Sequence, residues 1–233
     1  RIRMLGIQIN TEMGGTPYMI NLSEIFTPNS YIISDHHFGH AGICNYEPQR
    51  CRRAKELGYA SVEDMLIDKH NSTISDTDIV IFLGDFSFKD PQNYIHKLNG
   101  RKFLILGNHD RHGPQPYRGF EYVFRGVYSD FNGYLFTYKP EDQLLSGVIT
   151  GIGDKTVCFS HYAIGSTDEY DNQRGRILER KAILNDLFFG HSMDINIHGH
   201  LHSKQASGPS WMRYINTCCE HLDYTPTKIR DLL

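Results

Sequence analysis

Five short apolar runs, each halted by a cluster of polar residues able to bind metal, constrain this chain more than any other feature of its sequence. Tyr31 to Ser34 is followed by Asp35-His36-His37-Phe38-Gly39-His40, Asp78 to Leu83 by Gly84-Asp85, and Lys102 to Leu106 by Gly107-Asn108-His109-Asp110. Thr156 to Phe159 leads into Ser160-His161, and Asp194 to Ile197 into His198-Gly199-His200-Leu201-His202. The runs are four to six residues long and nearly continuous rather than alternating, which predicts strands buried on both faces. Nine of the 13 histidines (His36, His37, His40, His109, His112, His161, His198, His200 and His202) fall in or beside the polar clusters. In an open α/β sheet, ligands collect beyond the carboxyl ends of the strands, so residues distant in sequence can meet there.

Helical signals lie between the runs. Ser61-Val62-Glu63-Asp64 reads as an N-cap followed by an acidic first turn, with Met65, Leu66 and Lys69 continuing at helical spacing toward Ile74. Pro91 predicts a second helix to about Leu98, ended by Asn99-Gly100, and Arg174 to Phe188 predicts a third. Alternation of strand and helix over the first 110 residues implies an α/β sheet with parallel pairs. With 233 residues, no internal repeat and no long linker, one domain spanning 1–233 is the simplest organisation. The segment 111–152 breaks the rhythm with Gly113, Pro114, Pro116, Gly119, Gly126, Gly133 and Pro140. It predicts loops and short antiparallel strands and has the length of a specificity insert. Its aromatics Tyr117, Phe120, Tyr122, Phe124, Tyr128 and Phe131 are read as packing residues, with stacking on a nucleobase as the alternative.

Composition narrows the class. Hydrophobic residues at 39% and charged residues at 22% fit a soluble globular chain. Lys+Arg 24 against Asp+Glu 27 leaves −3, so no global cationic field exists and strong non-specific binding to nucleic acid is not expected. No run of 18 apolar residues occurs, and Arg1 to Asn10 lacks an apolar core and a cleavage site of the secretory kind. The five cysteines are odd in number and unevenly spaced, unlike a secreted disulfide framework. The expectation is a cytoplasmic protein in a reducing compartment with no membrane partner. Cys218 and Cys219 are read as small buried residues.

Within the clusters, Asp35 and His37, or His200 and His202, stand two apart and would share a face if extended. Carboxylate oxygen mixed with imidazole nitrogen, without cysteine, favours Mn, Fe, Zn, Co or Ni over an all-oxygen Ca or Mg site. The ordered set D-x-H, G-D, G-N-H-D, a lone S-H and G-H-x-H, spanning Asp35 to His202, resembles the signature of the calcineurin-like metallophosphoesterases. The S-D-x-H-F-G-H form is similar to small stand-alone members of bacteria and phages. This resemblance implies a four-layer α/β/β/α sandwich with two mixed β-sheets. It further implies that Asp35, His37, Asp85 and His202 hold one metal ion while Asp85, Asn108, His161 and His200 hold another, Asp85 bridging. Hydroxide between the ions would attack phosphorus, His109 would protonate the leaving oxygen or stabilise its charge, and Asp110 would orient His109. The two cofactors would be divalent or trivalent transition-metal ions, manganese first. The expected partner is a small phosphorylated substrate, in particular a phosphodiester of nucleotide type. A phosphomonoesterase and a nuclease of single strands or ends are the alternatives in the same class. A catalytically silent interaction module is the alternative in another class; the retromer subunit of the superfamily lacks the catalytic histidine that this chain keeps as His109.

The remaining polar residues divide by context. His36 and His198 alternate away from their neighbours and are read as packed or hydrogen-bonded. His40 belongs at the edge of the site. Arg111 and His112 are candidate substrate contacts, His112 reading otherwise as a solvated loop residue, and Arg118, Arg174 and Arg176 are possible grips for a second phosphate. His70, His96, His191 and His221 are assigned to the surface or to capping. Arg50, Arg52, Arg53 and Lys55 are read as a solvated helix face.

Overall fold

The computed structural model describes residues 7–9, 18–110, 117–129, 146–166, 182, 185–186, 192–206 and 208–233. Two five-stranded sheets form the framework. The first runs β12 (Thr227–Lys228), β3 (Tyr31–Ile33), β4 (Ile79–Phe82), β5 (Arg101–Ile105), β6 (Tyr122–Phe124), all parallel except the antiparallel edge strand β12. The second runs β11 (Arg213–Asn216), β10 (Ile195–His198), β9 (Lys155–Ser160), β8 (Gly147–Ile152), β7 (Val127–Ser129); β8 and β9 are antiparallel and the other pairs parallel. A separate antiparallel pair joins β1 (Ile7–Ile9) to β2 (Tyr18–Ile20). All five apolar runs are strands, as their sequence predicts.

Side-chain alternation explains the layering. Ile32, Ile81, Phe103, Ile105 and Phe124 of the first sheet cluster with Val148, Val157, Phe159, Ile195 and Ile197 of the second, so the two sheets pack face to face. The residues between them in sequence, Ile33, Val80, Phe82 and Leu104, point the other way onto Met65, Leu66, Ile95 and Leu98. Those contacts bring α4 (Val62–Thr73) and α5 (Gln92–Ile95) onto the outer face. Ser61 caps α4 as predicted, its Oγ accepting from the Asp64 amide at 3.0 Å. The outer face of the second sheet buries Ile149, Cys158, Tyr162, Ile164, Met193 and Met212. The fold is thus α/β with two mixed sheets. Among the described residues, no helix is long and apolar enough to cross a membrane.

Several expectations change. The helix after Pro91 stops at Ile95, because the chain continues in tighter turns (Lys97 N to Tyr94 O, 2.9 Å) anchored by the Asn71 side chain, which receives the Asn99 amide at 2.9 Å. Most of the predicted helix 174–188, with Arg174, Arg176 and His191, lies outside the described residues, as do Arg111, His112 and Phe131. The described parts of 111–152 are framework: β6 and β7 pair parallel to their neighbours, β6 in one sheet and β7 in the other, so the chain passes between the sheets over Arg125 and Gly126. Phe124 and Tyr128 are buried in the intersheet core, in keeping with packing. Cys44 and Cys51 form a disulfide, which the uneven cysteine spacing did not foretell. They sit on α2 (Ile43–Tyr46) and α3 (Pro48–Glu56), whose packing brings their Cα atoms to 5.7 Å. Cys158, Cys218 and Cys219 are buried thiols.

His70 is not at the surface. It is buried on α4, stacked at 5.9 Å on Phe82, and donates through Nε2 to the Asn99 carbonyl at 3.0 Å, while Nδ1 has no partner. Burial pushes its pKa down to about 4, since a second ring proton would be unsatisfied. The unfolded chain therefore binds the extra proton first, and the stability contributed by neutral His70 is full above pH 6.5 and lost as pH falls toward 4. Between pH 7 and pH 5, His70→Gln should lose roughly 2 kcal/mol less unfolding free energy than the parent in urea titrations; equal losses would contradict this account.

Candidate metal centre

The polar clusters following β3, β4, β5, β9 and β10 converge at the carboxyl ends of both sheets. Asp35 and Asp85 each divide their oxygens between two tasks. Asp35 Oδ2 accepts from the His200 amide at 2.9 Å and the Cys218 thiol at 3.1 Å, while its Oδ1 is buried with no hydrogen-bond partner. That bare oxygen lies 3.7 Å from His37 Nε2 and 3.9 Å from His202 Nε2. Asp85 Oδ1 accepts from the His109 amide at 2.8 Å, and its Oδ2 faces His37 Nε2 at 3.6 Å and His161 Nε2 at 3.5 Å. One oxygen of each carboxylate therefore locks a neighbouring loop, and the other is presented to a ring of histidines.

The imidazoles are set the same way. His161 donates from Nδ1 to the Leu83 carbonyl at 2.9 Å, which leaves the Nε2 lone pair facing Asn108 Oδ1 at 2.8 Å and His200 Nδ1 at 3.2 Å. His37 Nε2 and His202 Nε2 face each other at 3.1 Å. Acceptors crowded this closely repel unless a cation or proton lies between them. Two sets of three, Asp35-His37-His202 and Asp35-Asp85-His161, each bring their donor atoms within 4.8 Å of one another. Mixed oxygen and nitrogen donors, a bare buried carboxylate oxygen and facing lone pairs all fit transition-metal ions. The structure thus brings together Asp35, His37, Asp85, Asn108, His161, His200 and His202.

Backbone strain marks the same residues. Asp35, His37, Asp85, His200 and His202 have φ between 50° and 71°, five of the eight non-glycine residues with positive φ among those described. Left-handed φ costs a residue with a Cβ on the order of 1 kcal/mol, so surrounding contacts must hold it. Asp35 and His37 therefore reach one centre through left-handed turns, not through the alternation of an extended strand. Close packing of these turns requires glycine: a Cβ at Gly84 would lie 2.6 Å from Gly107 Cα.

Electrostatics follow from burial and proximity. Burial alone would raise Asp35, but His161, His37 and His202 more than offset it and hold the carboxyl well below its usual range. Burial, with Asp35 and Asp110 nearby, pushes Asp85 up to about 7. His161 is raised despite burial because Asp85 and Asp35 face it. A cation bound among these groups would offset both the burial of the carboxylates and their mutual repulsion.

His109 is exposed at the mouth, its ring stacked on Phe88 at 4.6 Å. Burial of part of the ring, with His161 and His200 close by, lowers its pKa to about 4. Asp110 does not orient that ring. Its carboxylate accepts the amides of Asp85 (2.8 Å), Phe86 (2.9 Å) and Gly107 (2.8 Å), so it positions the Asp85 loop instead. His40 borders the same cavity, and His36 and His198 are buried away from it, His36 stacked 5.2 Å from Phe38.

Arg50 overturns the reading of its helix as wholly solvated. Arg52 and Lys55 are exposed, but the Arg50 side chain is completely buried. It donates to the carbonyls of Asp35 (2.6 Å) and His36 (2.9 Å) and pairs with the carboxylate of Glu220. Glu220 Oε2 lies 3.6 Å from His202 Nδ1, and burial notwithstanding, Arg50 and His202 hold Glu220 down to about 2. Neither residue belongs to a recognisable motif, so only the basic cluster around Arg50 pointed here, and it pointed outward.

A family model described as calcineurin-like phosphoesterase matches residues 29–204. An uncharacterised protein of Methanocaldococcus jannaschii, MJ1445, is 33% identical over 150 residues, 60% of this chain and 72% of that protein. The gene 66 protein of Mycobacterium phage L5 is 29% identical over 184 residues, covering 75% and 78%. The crystal structure of AQ665 from Aquifex aeolicus, a protein of unknown function, superposes with a TM-score of 0.61 at 25% identity, covering 87% of this chain and 96% of that one.

The buried pair makes a direct prediction. Arg50→Met leaves Glu220 charged without its partner and should lower the unfolding free energy by about 3–5 kcal/mol; a loss under 1 kcal/mol in denaturant titrations would show that the pair does not brace the Asp35 turn.

Proposed function

The chain belongs to the calcineurin-like phosphoesterase family, metal-dependent hydrolases of phosphoric esters, and from that membership we propose a phosphodiesterase acting on a small substrate of nucleotide type at a two-metal centre. The observation that carries the two-metal reading is Asp85 Oδ2, lying within 3.6 Å of a ring nitrogen from each side of the site, His37 and His161. We assign Asp35, His37, Asp85 and His202 to one ion and Asp85, Asn108, His161 and His200 to the other; the mixed oxygen and nitrogen donors suit Mn, Fe, Zn, Co or Ni, and manganese is put first by analogy with the family. When bound, such an ion pair supplies positive charge to the phosphoryl oxygens and makes water nucleophilic near neutral pH.

The chain's own residues do the rest. The Asp35 and Asp85 tethers hold the donor atoms on fixed turns, so the site is organised before substrate arrives. His109 is placed differently from the donors: its amide is bound to Asp85 while its ring projects into the open cavity. From there its ring N–H can donate a hydrogen bond to the leaving oxygen and stabilise the charge developing on it, or pass on a proton where the bound ester's own charge holds the ring protonated. A net charge of −3 gives no general attraction for long polyanions, which supports a small ester over duplex nucleic acid.

Turnover of bis-p-nitrophenyl phosphate with added manganese tests the reading. His109→Ala should keep its metal by elemental analysis and lose on the order of 10²–10⁴-fold in kcat, whereas Asp85→Asn should lose metal from both positions. No hydrolysis by the folded, metal-loaded parent would overturn the phosphodiesterase, and equal metal loss in both variants would overturn the assignment of roles.

A further inference from the structure

Five large hydrophobic side chains are exposed among the described residues, and two of them, Tyr46 (74%) and Phe88 (37%), line one cavity of about 420 Å³ that opens over the donor atoms. Exposed aromatic surface beside a reaction centre is the usual mark of a ligand-binding wall. The wall is continuous. The Phe88 ring lies 5.4 Å from His37 and 4.6 Å from His109, packs against His40 at 4.1 Å, and His40 in turn meets Tyr46 at 5.8 Å. Ile43 and Leu201 complete its apolar character.

This wall is also pre-formed. The Phe88 amide donates to the Phe38 carbonyl at 2.9 Å, the His40 ring accepts the Gly42 amide at 3.0 Å, and Tyr46 stands on the short helix that the Cys44–Cys51 disulfide ties to α3. A phosphoryl group over His37 and His202 would place its ester substituent against Phe88, with Tyr46 farther out. The planar ring system that biological phosphoesters commonly carry is a nucleobase, and aromatic side chains stack on bases with little regard for which base is present.

We propose that Tyr46, His40 and Phe88 form a base-stacking subsite, so that the enzyme selects phosphoesters of nucleosides over those of aliphatic alcohols or bare sugars. The proposal rests on the floor of the cavity being the phosphoesterase centre described above. The described aromatics of segment 111–152, Tyr117, Phe120, Tyr122, Phe124 and Tyr128, pack in or against the core as expected, and the stacking role falls to Tyr46 and Phe88, which no motif contains.

Calorimetric titration of the manganese-loaded protein with adenosine 5′-monophosphate and with ribose 5-phosphate isolates the base, since the two ligands differ only there. The nucleotide should bind at least tenfold tighter. Tyr46→Ala, at an exposed position that tolerates truncation, should bring the two dissociation constants to within about threefold while leaving ribose 5-phosphate unchanged; Phe88→Leu should act in the same direction. Equal affinities in the parent, or equal weakening of both ligands in Tyr46→Ala, would overturn the subsite. Absence of hydrolysis of bis-p-nitrophenyl phosphate by the same preparation is a separate failure, that of the underlying activity.

Discussion

The bond from the His200 amide to Asp35 Oδ2 joins a loop of one sheet to a loop of the other, and the geometry of the centre depends on it. Because one carboxylate oxygen is committed to that amide, the second is held in position without a partner of its own. The same division recurs at Asp85, whose Oδ1 takes the His109 amide, and Asp110 reinforces it by accepting three amides from the surrounding turns. Backbone amides thus do the work of aligning side chains, and in a buried setting each such charge-assisted bond is stronger than a neutral one. The left-handed backbone of five donors persists because these tethers over-determine it.

Much of this arrangement is legible in the amino acids. Strands β3, β4, β5, β9 and β10 are continuous apolar runs because both their faces are covered, and burial on both faces leaves little ambiguity of pattern. The clusters after them stand out because nine of the 13 histidines gather in or beside them. The route by which Asp35 and His37 come together is not legible, since a positive φ at a non-glycine residue has no sequence code. The role of Asp110 is hidden for a related reason: adjacency to His109 says nothing about which way a carboxylate turns. His70 is solitary in the sequence, where a surface or capping role is the expectation, but α4 packs against the first sheet and encloses it.

The Arg50–Glu220 pair shows where pattern reading stops. Four basic residues within six positions resemble a solvated stripe, yet a nine-residue helix has a buried side, and position 50 is on it. Removing two charges from water is costly, and the return comes through geometry: guanidinium donors fix the Asp35 and His36 carbonyls while the carboxylate sits behind His202. A partner 170 residues away has no local signature.

The first donor in the chain is fastened by residues more than 180 positions downstream. Thr217 accepts the Ser34 amide, Cys218 grips Asp35, and β12 pairs with β3. On the ribosome, a nascent polypeptide halted before residue 216 would already carry all seven candidate donors but lack these fasteners. The Asp35 turn is thereby assembled only when residues far apart in the chain have come together.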